Sequence, residues 1–494
     1  MKRIDVLVVG GGYAGSMLAT ILASRGRSVL LADRQQHPRF AIGESSTPIA
    51  DACLASLADR YSIDAWRPLA RYGDWRSAYP EVRRGLKRGF SYFCHHAGEP
   101  WADDADREDS LLVAASSSDA AADTHWMRSD VDSLLIGIAR SHGVTYRGQT
   151  EVHQRGRSGD RWRVELAGVD GVQEVEPEWI VDASGDGSFA RRYLAAGDDD
   201  ESLRCRAFAT FGHFIDVQPM ADVAGDDGQW NFDPDAAAQH HVIDDGWLWL
   251  LRFDCGLTSV GLVSQDGSTS PEIRWQRAMH RYPTLERLFE RAECVDSTRH
   301  AADYPRANMR ASGRLARMNR NACGPGWVSL PAGFGFVDPL HSTGIAQSLV
   351  GVGDVAEALL GDDQAKEVML RSYERRVRQQ LIWIDKLVSL AYAGLPEPRL
   401  FALASKAYFA AVIAREQSDA GEASLATNFL SCEDPEMQMT VDAALAIFDS
   451  ADASQKRLRR DEFAESFRKC FERFDRVGLF DPARRNRIDH IDPA

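Results

Sequence analysis

Apolar residues near the start of the chain recur with two different periods. A continuous apolar run at residues 6–9 predicts a strand that is buried on both faces. Apolar positions then recur at helical spacing up to Gly26, which predicts an amphipathic helix with glycine at its C-terminal cap. A second apolar run at residues 28–32 predicts another strand. The chain is therefore predicted to begin with a strand–helix–strand unit.

A glycine-rich turn joins this first strand to the helix. Gly10 permits a tight turn, Gly12 lets the backbone approach a pyrophosphate, and Gly15 lets the helix pack closely on the strand. Ala14 lies at the start of the helix, whose N–H groups favour a phosphate. Asp33 follows the second strand and can accept hydrogen bonds from a ribose. These features predict a dinucleotide site, since a plain βαβ unit would leave Asp33 without a role.

The pattern downstream alternates between strand and helix. Strands are predicted at residues 83–93, 144–171, 206–214, 246–253 and 258–263, and helices at residues 48–57, 130–142, 364–395, 402–415, 440–449 and 460–474. The acidic, Ser/Ala-rich residues 99–122 are predicted to form an exposed excursion. We therefore predict an α/β protein with an added antiparallel sheet and a helical C-terminal region.

A second strand-to-turn motif lies at residues 179–188. An apolar strand ends at Asp182 and is followed by Gly185. No further strand ending in an acid follows at the right distance. We therefore predict a single dinucleotide fold, without a separate nicotinamide site.

The charge and composition of the chain argue against several classes of binding partner. The 494-residue chain has a formal net charge of −15, which argues against nucleic acid and anionic membranes as partners. Gly and Pro interrupt the weakly charged residues 321–353 too often for a membrane-spanning helix. The eight cysteines stand singly, without metal-ligand spacing, so no metal site is expected. Because no apolar secretory segment precedes Asp5, we expect a cytoplasmic protein.

Aromatic residues are frequent on the predicted antiparallel strands. A sheet that forms one wall of a pocket for a flat apolar substrate would explain them, and we predict Phe93, Trp247 and Trp249 as pocket residues. The alternative is that aromatic residues on half-buried strands belong to the core.

With these motifs and the stretch Gly-Phe-Gly-Phe-Val-Asp-Pro-Leu-His-Ser-Thr-Gly-Ile at residues 333–345, the chain resembles the flavin-dependent halogenases. The resemblance covers roughly residues 1–360. It implies the aromatic hydroxylase fold, in which a Rossmann-type FAD-binding domain is interleaved with an antiparallel-sheet substrate domain. On this basis FAD-binding parts are predicted at residues 1–95, 126–195 and 306–360, the excursion at 96–125, the substrate domain at 196–305 and the helical region at 361–494.

The resemblance also implies roles for individual residues. Asp338 would contact the ribityl region of the flavin, and Arg128 would lie near the cofactor, as would the turn with Asp182 and Gly185. Thr343 and Gly344 would present backbone N–H groups to a halide. The alternative for that turn is a strand-to-helix connection with a capping hydroxyl, and the two roles are compatible.

Lys87 matches the catalytic lysine of the halogenases, with Glu44 expected nearby. In that family reduced FAD, O₂ and halide yield hypohalous acid, which travels to the lysine. An ammonium group can donate hydrogen bonds to such an oxidant, and its pKa falls on burial. The alternative is that Lys87 belongs to a solvated charge run, because Arg83, Arg84 and Arg88 surround it.

The chain departs from the family pattern at two places. Halogenases carry Trp-x-Trp-x-Ile-Pro, thought to keep the reactive flavin apart from the organic substrate, whereas residues 247–252 read Trp-Leu-Trp-Leu-Leu-Arg. Tryptophan halogenases have a glutamate where this chain has His341, whose imidazole can act as a general base near neutral pH. Free tryptophan is therefore a less secure substrate than another aromatic ring.

The resulting hypothesis is an FAD-dependent halogenase of an electron-rich aromatic or heteroaromatic substrate, with Lys87, Glu44 and His341 as catalytic residues. Its substrate is expected to be a small aromatic molecule or an aromatic group on a carrier or protein, and a separate flavin reductase is expected to supply FADH₂. One alternative is a monooxygenase that hydroxylates an aromatic ring, including a tryptophan of a partner protein. Another is a flavoprotein scaffold without catalysis. Whether the C-terminal helices form a homodimer is left open.

Overall fold

The computed structural model describes residues 1–103, 107–225, 230–300, 304–395, 397–416 and 428–489. Its strands are β1 (Lys2–Val9), β2 (Val29–Ala32), β3 (Arg84–Lys87), β4 (Gly89–Cys94), β5 (Ser110–Ala114), β6 (Asp123–Trp126), β7 (Thr145–Arg147), β8 (Glu151–Ser158), β9 (Arg161–Gly168), β10 (Gly171–Asp182), β11 (Phe208–Ile215), β12 (Ala238–Ile243), β13 (Gly246–Arg252), β14 (Thr258–Ser264), β15 (Glu293–Val295), β16 (Arg310–Arg314), β17 (Arg317–Met318), β18 (Cys323–Gly324), β19 (Trp327–Ser329), β20 (Gly335–Phe336) and β21 (Arg487–Ile488). Its α-helices are α1 (Tyr13–Ser24), α2 (Pro48–Tyr61), α3 (Tyr72–Ala78), α4 (Arg128–Ser141), α5 (Ser188–Tyr193), α6 (Met220–Ala224), α7 (Pro271–Arg281), α8 (Pro283–Phe289), α9 (Pro331–Phe334), α10 (Thr343–Leu360), α11 (Asp363–Gly394), α12 (Pro398–Glu416), α13 (Pro435–Asp449), α14 (Ala453–Leu458) and α15 (Arg460–Phe471).

The nucleotide-binding sheet confirms the predicted βαβ start of the chain. Its central strands run in the order β19-β10-β1-β2-β7, all paired in parallel. Val8 packs into the core under α1, α4 and α10, while Leu7 packs into the core on the opposite face, as expected for a strand buried on both sides. Gly26 follows α1 at φ +83°, the left-handed conformation predicted for its cap.

A second sheet of nine strands lies beside it. Its order is β15-β11-β14-β13-β12-β4-β5-β21, with β16 also paired to β11. Strand β5 corrects the prediction of an exposed excursion, because Leu111, Leu112 and Val113 are buried and β5 pairs with β4. Residues 104–106 of that predicted excursion lie outside the described residues. The average composition of residues 99–122 is acidic and polar, so a prediction from composition misses the five-residue strand β5 within them.

The C-terminal region is helical, as predicted. Helix α11 packs against α10, α12 and α13, and α12 packs against α15 and β5. This region therefore shares its core with both sheets. Across the described part of the chain, no helix combines the length and apolar character needed to cross a bilayer.

Candidate active site

A cavity of about 500 Å³ is lined by strands of the nine-stranded sheet and by the turns that follow β1 and β10 of the nucleotide-binding sheet. The predicted site residues on its wall are Gly12, Ala14, Gly15, Glu44, Arg128, Gly185, Trp249, Thr343 and Gly344. The two glycine-rich turns and the start of α10 therefore meet at one cavity, although they lie far apart in the sequence.

Two glycines at the first turn have no room for a side chain. Gly10 has φ +115°, and a Cβ atom there would lie 2.2 Å from the carbonyl oxygen of Ala183. A Cβ atom on Gly15 would lie 2.1 Å from the carbonyl oxygen of Gly10. Gly10 lies behind the cavity wall, while Gly12 precedes α1 and exposes its N-terminus to the cavity. This arrangement suits a pyrophosphate against backbone N–H groups.

Asp33 is buried at the end of β2, behind the cavity wall. The N–H groups of Gly11 and Gln35 each donate to its carboxylate at 2.8 Å, and the side chains of His37 and Arg39 lie 3.4 Å away. Burial raises the carboxyl pKa, but these hydrogen bonds and the Arg39 charge outweigh it and lower the pKa to about 2. Asp33 thus holds the loop after β2 in place. A ribose contact by Asp33 stays a prediction.

Asp182 shapes the second turn rather than lining the cavity. Its carboxylate accepts hydrogen bonds from the N–H groups of Ser184 and Ala190, at 2.9 and 3.1 Å. Complete burial raises its pKa to about 6. The turn it holds places Gly185, at φ +80°, on the cavity wall.

Arg128 joins the first helix of the fold to the segment that precedes α2. Its guanidinium donates to both carboxylate oxygens of Asp132, at 3.0 and 2.9 Å, and lies over the ring of Tyr13. It also donates to the carbonyl oxygens of Ile42 and Gly43, at 2.7 and 3.2 Å. Arg128 therefore fixes the backbone beside Glu44 and contributes charge to the cavity wall.

The loop of residues 338–344 begins at a fully bonded aspartate. Asp338 accepts a hydrogen bond from the N–H of Leu340 at 3.0 Å and from the hydroxyl of Tyr392 at 2.8 Å. Burial raises its pKa to about 7. Asp338 lies behind the cavity wall, so its carboxylate holds the 338–344 loop. Because Asp338 does not line the cavity, its contact with the ribityl region of a flavin stays a prediction.

The same loop ends at the N-terminus of α10. The N–H of Ser342 donates to the carbonyl of Pro339 at 3.1 Å, and Ser342 adopts φ +54° before the helix begins. Thr343 and Gly344 are the first residues of α10, so their N–H groups have no partner within the helix. Both residues line the cavity, which gives it a concave amide surface suited to an anion.

Lys87 is completely buried on β3. Its Nζ donates to the carbonyl oxygen of Ser46 and lies 4.1 Å from the ring centre of Phe90. Burial lowers its pKa to about 8, while the charges of Asp123, its partner on β6, and of Asp51 act in the opposite direction. At neutral pH the side chain is therefore largely a buried ammonium.

The basic residues around Lys87 do not form a solvated face. Arg83 is buried and pairs with Asp130 at 2.6 Å. Arg84 is also buried and donates to the carbonyl of Val82 at 2.8 Å. The interpretation of this stretch as a solvated charge run is therefore wrong.

The carboxylate of Glu44 is bonded to a histidine that the sequence analysis missed. His213 Nε2 lies 2.8 Å from Glu44 Oε1, and His213 Nδ1 is bonded to the hydroxyl of Ser297. All three side chains are buried. The expected proximity of Glu44 to Lys87 stays a prediction, while the charges that raise the pKa of Lys87 are those of Asp123 and Asp51. The pattern of residues 206–214 predicts strand β11, but it does not indicate that His213 on this strand contacts Glu44.

Next to Lys87 lies a group of rings that we call the aromatic cluster, formed by Phe90, Tyr92, His240, His341, Tyr408 and Phe409. The cluster reaches the cavity at His240. Neither ring nitrogen of His341 has a hydrogen-bond partner among the described residues. Burial lowers the pKa of His341 to about 3, so its imidazole is neutral. Sequence reasoning named His341 but missed Tyr408, which lies on a distant helix.

The three predicted pocket aromatics lie in three different environments. Trp249 lines the cavity, and its ring covers Gly261 on the neighbouring strand. Trp247 is buried, and its indole donates to Tyr392. Phe93 packs on the opposite face of the sheet, against Trp101, so its prediction as a pocket residue is wrong. Successive side chains of a strand point to opposite faces of the sheet. On β4, Phe90 lies on the face that packs in the aromatic cluster, and Phe93 lies on the other face.

Residues 251 and 252 replace the Ile-Pro pair of the halogenase motif. Leu251 lines the cavity. Arg252 points to Asp235, with Nε 2.7 Å from Oδ1, and donates to the carbonyl oxygens of Val217 and Gln218. The guanidinium is therefore bound outside the cavity wall.

The sequence profile of the FAD dependent oxidoreductase family matches residues 5–333. The chain belongs to this family of FAD-dependent enzymes. Curated relatives include the tetracycline 7-halogenase of Kitasatospora aureofaciens, 27% identical over 79% of this chain and 70% of that protein. The monodechloroaminopyrrolnitrin halogenase PrnC of Pseudomonas fluorescens is 25% identical over 81% of this chain and 70% of its own.

Among solved structures, halogenase PltM in complex with phloroglucinol and FAD has the same fold. It superposes with a TM-score of 0.84, covering 98% of this chain and 100% of the other at 21% identity. These findings confirm the predicted fold class and the resemblance to flavin-dependent halogenases, with FAD as the cofactor. The residues present fit FAD, because the glycines at the first turn leave the N-terminus of α1 open to a pyrophosphate.

Proposed function

We propose that this protein uses reduced FAD, O₂ and a halide ion to halogenate an electron-rich aromatic or heteroaromatic ring. The observation that carries the proposal is the complete burial of Lys87 between Ser46, the residue that follows Ser45 of the cavity wall, and the aromatic cluster. A buried ammonium beside aromatic rings is costly, and a role in catalysis explains its retention.

The cofactor would be held by the turns that line the cavity. The N-terminus of α1 after Gly12 would bind the pyrophosphate, and Gly185 and Arg128 would border the rest of the molecule. FAD supplies the activation of O₂ that turns halide into an electrophile. A separate flavin reductase is proposed as the source of FADH₂.

The halide would bind at the start of α10. Thr343 and Gly344 present N–H groups to the cavity, and the positive end of the helix dipole favours an anion there. The halide would then leave this site as hypohalous acid and reach Lys87.

At Lys87 the ammonium would donate a hydrogen bond to the oxygen of the hypohalous acid. The bond between oxygen and halogen then breaks as the halogen bonds to a ring carbon, the released hydroxide takes a proton from the Lys87 ammonium and leaves as water, and the ring carbon loses its own proton. His341 is a neutral imidazole in the same cluster and can accept that proton. Glu44 would act on the cofactor side, because its carboxylate lines the cavity and is held by His213.

The aromatic cluster suggests the substrate class. Tyr92 and His240 stack on each other with centroids 4.6 Å apart, so the cluster is an apolar, aromatic environment of the kind that favours a flat aromatic substrate. The hydroxyl of Tyr92 and both nitrogens of His341 have no hydrogen-bond partner among the described residues. A ring with a hydroxyl or N–H substituent would satisfy them. A brominase of pyrrole-2-carbonyl on a peptidyl carrier protein, 23% identical to this chain, makes free and carrier-bound aromatics both candidates.

The test supplies purified protein with FAD, a flavin reductase, NADH, O₂ and bromide, against phenols, indoles and pyrroles. Mass spectrometry is expected to show a bromide-dependent isotope doublet. The Lys87→Met variant should lose the brominated product while the consumption of reduced flavin continues. Lys386→Met, which removes a partly exposed lysine paired with Asp442, is the matched control and should keep full activity.

A gain of one oxygen that is independent of bromide would overturn the proposal and indicate ring hydroxylation. Ring hydroxylation is the second candidate function because Leu251 and Arg252 replace the Ile-Pro pair of the motif that is thought to separate the reactive flavin from the organic substrate. Turnover that survives Lys87→Met would count against halogenation in the same way.

A further inference from the structure

A continuous chain of hydrogen bonds joins the antiparallel sheet, the C-terminal helices and the 338–344 loop. The indole Nε1 of Trp247 on β13 donates to the hydroxyl of Tyr392 on α11, at 3.0 Å. That hydroxyl donates to Oδ2 of Asp338 at 2.8 Å. Asp338 accepts at its other oxygen from the N–H of Leu340, at 3.0 Å. Three separate regions of the fold therefore meet at one buried carboxylate.

The chemistry of the side chains decides which group donates and which accepts in each of these hydrogen bonds. An indole N–H can only donate, so the hydroxyl of Tyr392 accepts from Trp247 and has its own proton left for Asp338. Trp247 and Asp338 are 0% and 2% exposed, which keeps water from substituting for either bond. Removing one partner of a buried hydrogen bond costs more than removing an exposed one, because the group left behind cannot turn to water.

Asp338 controls the geometry of the 338–344 loop. Its bond to Leu340 closes the first turn, and the bond from Ser342 to Pro339 closes the second. Ser342 is thereby held at φ +54°, and α10 starts immediately afterwards. A shift of the carboxylate would therefore move the N–H groups that follow it.

We propose that Tyr392 is a positioning residue for halide binding, because its hydroxyl anchors Asp338 and so aims the first amides of α10 into the cavity. The inference rests on the proposed function in taking those amides as the halide site. It assigns Trp247 the task of orienting the Tyr392 hydroxyl, and it makes helix α11 part of the site although no residue of that helix lines the described cavity.

The variant that tests this is Tyr392→Phe, which removes the hydroxyl and keeps the ring. The matched control is Tyr373→Phe on the same helix, because the hydroxyl of Tyr373 donates at 2.7 Å to the carbonyl of Ser329, outside the 338–344 loop. Bromide binding to the FAD-loaded protein is followed by the change in flavin absorbance. Bromide and organic-substrate KM values are measured in parallel, together with thermal unfolding.

Tyr392→Phe is expected to weaken bromide binding and raise the bromide KM about tenfold, the effect of one lost buried hydrogen bond. The KM for the organic substrate and the affinity for FAD should stay unchanged. Trp247→Phe should shift bromide binding in the same direction by less. Tyr373→Phe should leave bromide binding as in the wild type.

Unchanged bromide binding in Tyr392→Phe would overturn the inference, and so would an equal loss in Tyr373→Phe, which would indicate a general loss of stability. Bromide binding by the wild type without any halogenated product would reject the proposed function, while the comparison of the variants would still decide the role of Tyr392. A wild-type protein that binds no bromide would reject both.

Discussion

The imidazole of His341 lies flat against the phenol ring of Tyr408, with centroids 4.4 Å apart and planes 7° from parallel. His341 belongs to the 338–344 loop, whereas Tyr408 lies on α12. The C-terminal helical region therefore completes the wall of the aromatic cluster. This stacking fixes the ring of His341, and neither of its nitrogens has a hydrogen-bond partner among the described residues.

Replacing His341 with Phe should separate substrate binding from stability. The phenyl ring keeps the stack on Tyr408 and removes two buried polar atoms that have no described partner, so the Tm should not fall. The KM for the organic substrate should rise about tenfold, because a substrate hydrogen bond is lost. Steady-state kinetics and thermal unfolding measure both.

His96→Phe is the control for this variant, since His96 is exposed and pairs with Asp109 on the surface. It should leave KM unchanged. An unaltered KM in His341→Phe would show that the imidazole does not contact the substrate.

The pKa of Lys87 predicts the alkaline limb of activity. Burial lowers this pKa to about 8, and the ammonium form is the one proposed to act. Protonated Lys87 predominates below pH 8, so kcat/KM for the organic substrate should fall as pH rises through about 8. Because Asp123 raises the pKa, Asp123→Asn should move this limb to lower pH.

The control is Asp119→Asn, which removes an exposed carboxylate paired with Arg88. Its pH profile should match the wild type. Activity that increases through pH 8 would instead indicate that the neutral amine is the active form.

Gly15→Ala should abolish FAD binding. The added Cβ atom would lie 2.1 Å from the carbonyl oxygen of Gly10, so the turn must move at a cost of about 1–3 kcal/mol in the free energy of unfolding. Gly137→Ala on α4 is the matched control, because nothing lies within 4 Å of its added Cβ atom. That variant should gain up to about 1 kcal/mol from the helix propensity of alanine.

Bound flavin after purification and urea unfolding measure the two effects. A Gly15→Ala protein with full flavin content would contradict the assigned role of the first turn.

His213 should stabilise the cavity wall through Glu44. His213→Phe leaves the buried carboxylate of Glu44 without its 2.8 Å partner, which should cost about 1–3 kcal/mol in the free energy of unfolding. FAD should also bind more weakly, because Glu44 lines the cavity. Urea unfolding and flavin titration measure these changes.

His213→Gln keeps a side-chain donor and should recover part of both losses. Equal effects of Phe and Gln at this position would point to packing rather than to the bond with Glu44.

The sequence by itself determined the secondary structure and the turns that are set by residues close together along the chain. The strand–helix–strand start follows from local periodicity. Gly10 is required by its φ of +115°, and Gly15 by the carbonyl oxygen of Gly10, which leaves no room for a Cβ atom. The 338–344 loop could likewise be recognised from a short motif, since its two turns are closed by bonds within seven residues.

Only the tertiary structure decided which faces and partners these segments meet. Alternation separates Phe90 from Phe93, but which of them faces Lys87 and the aromatic cluster depends on the layer packed against the sheet. Glu44 and His213 are 169 residues apart, and Tyr392 meets Asp338 because α11 packs beside α10. Such contacts depend on how sheets and helices stack, and local hydrophobic pattern specifies burial without naming the partner.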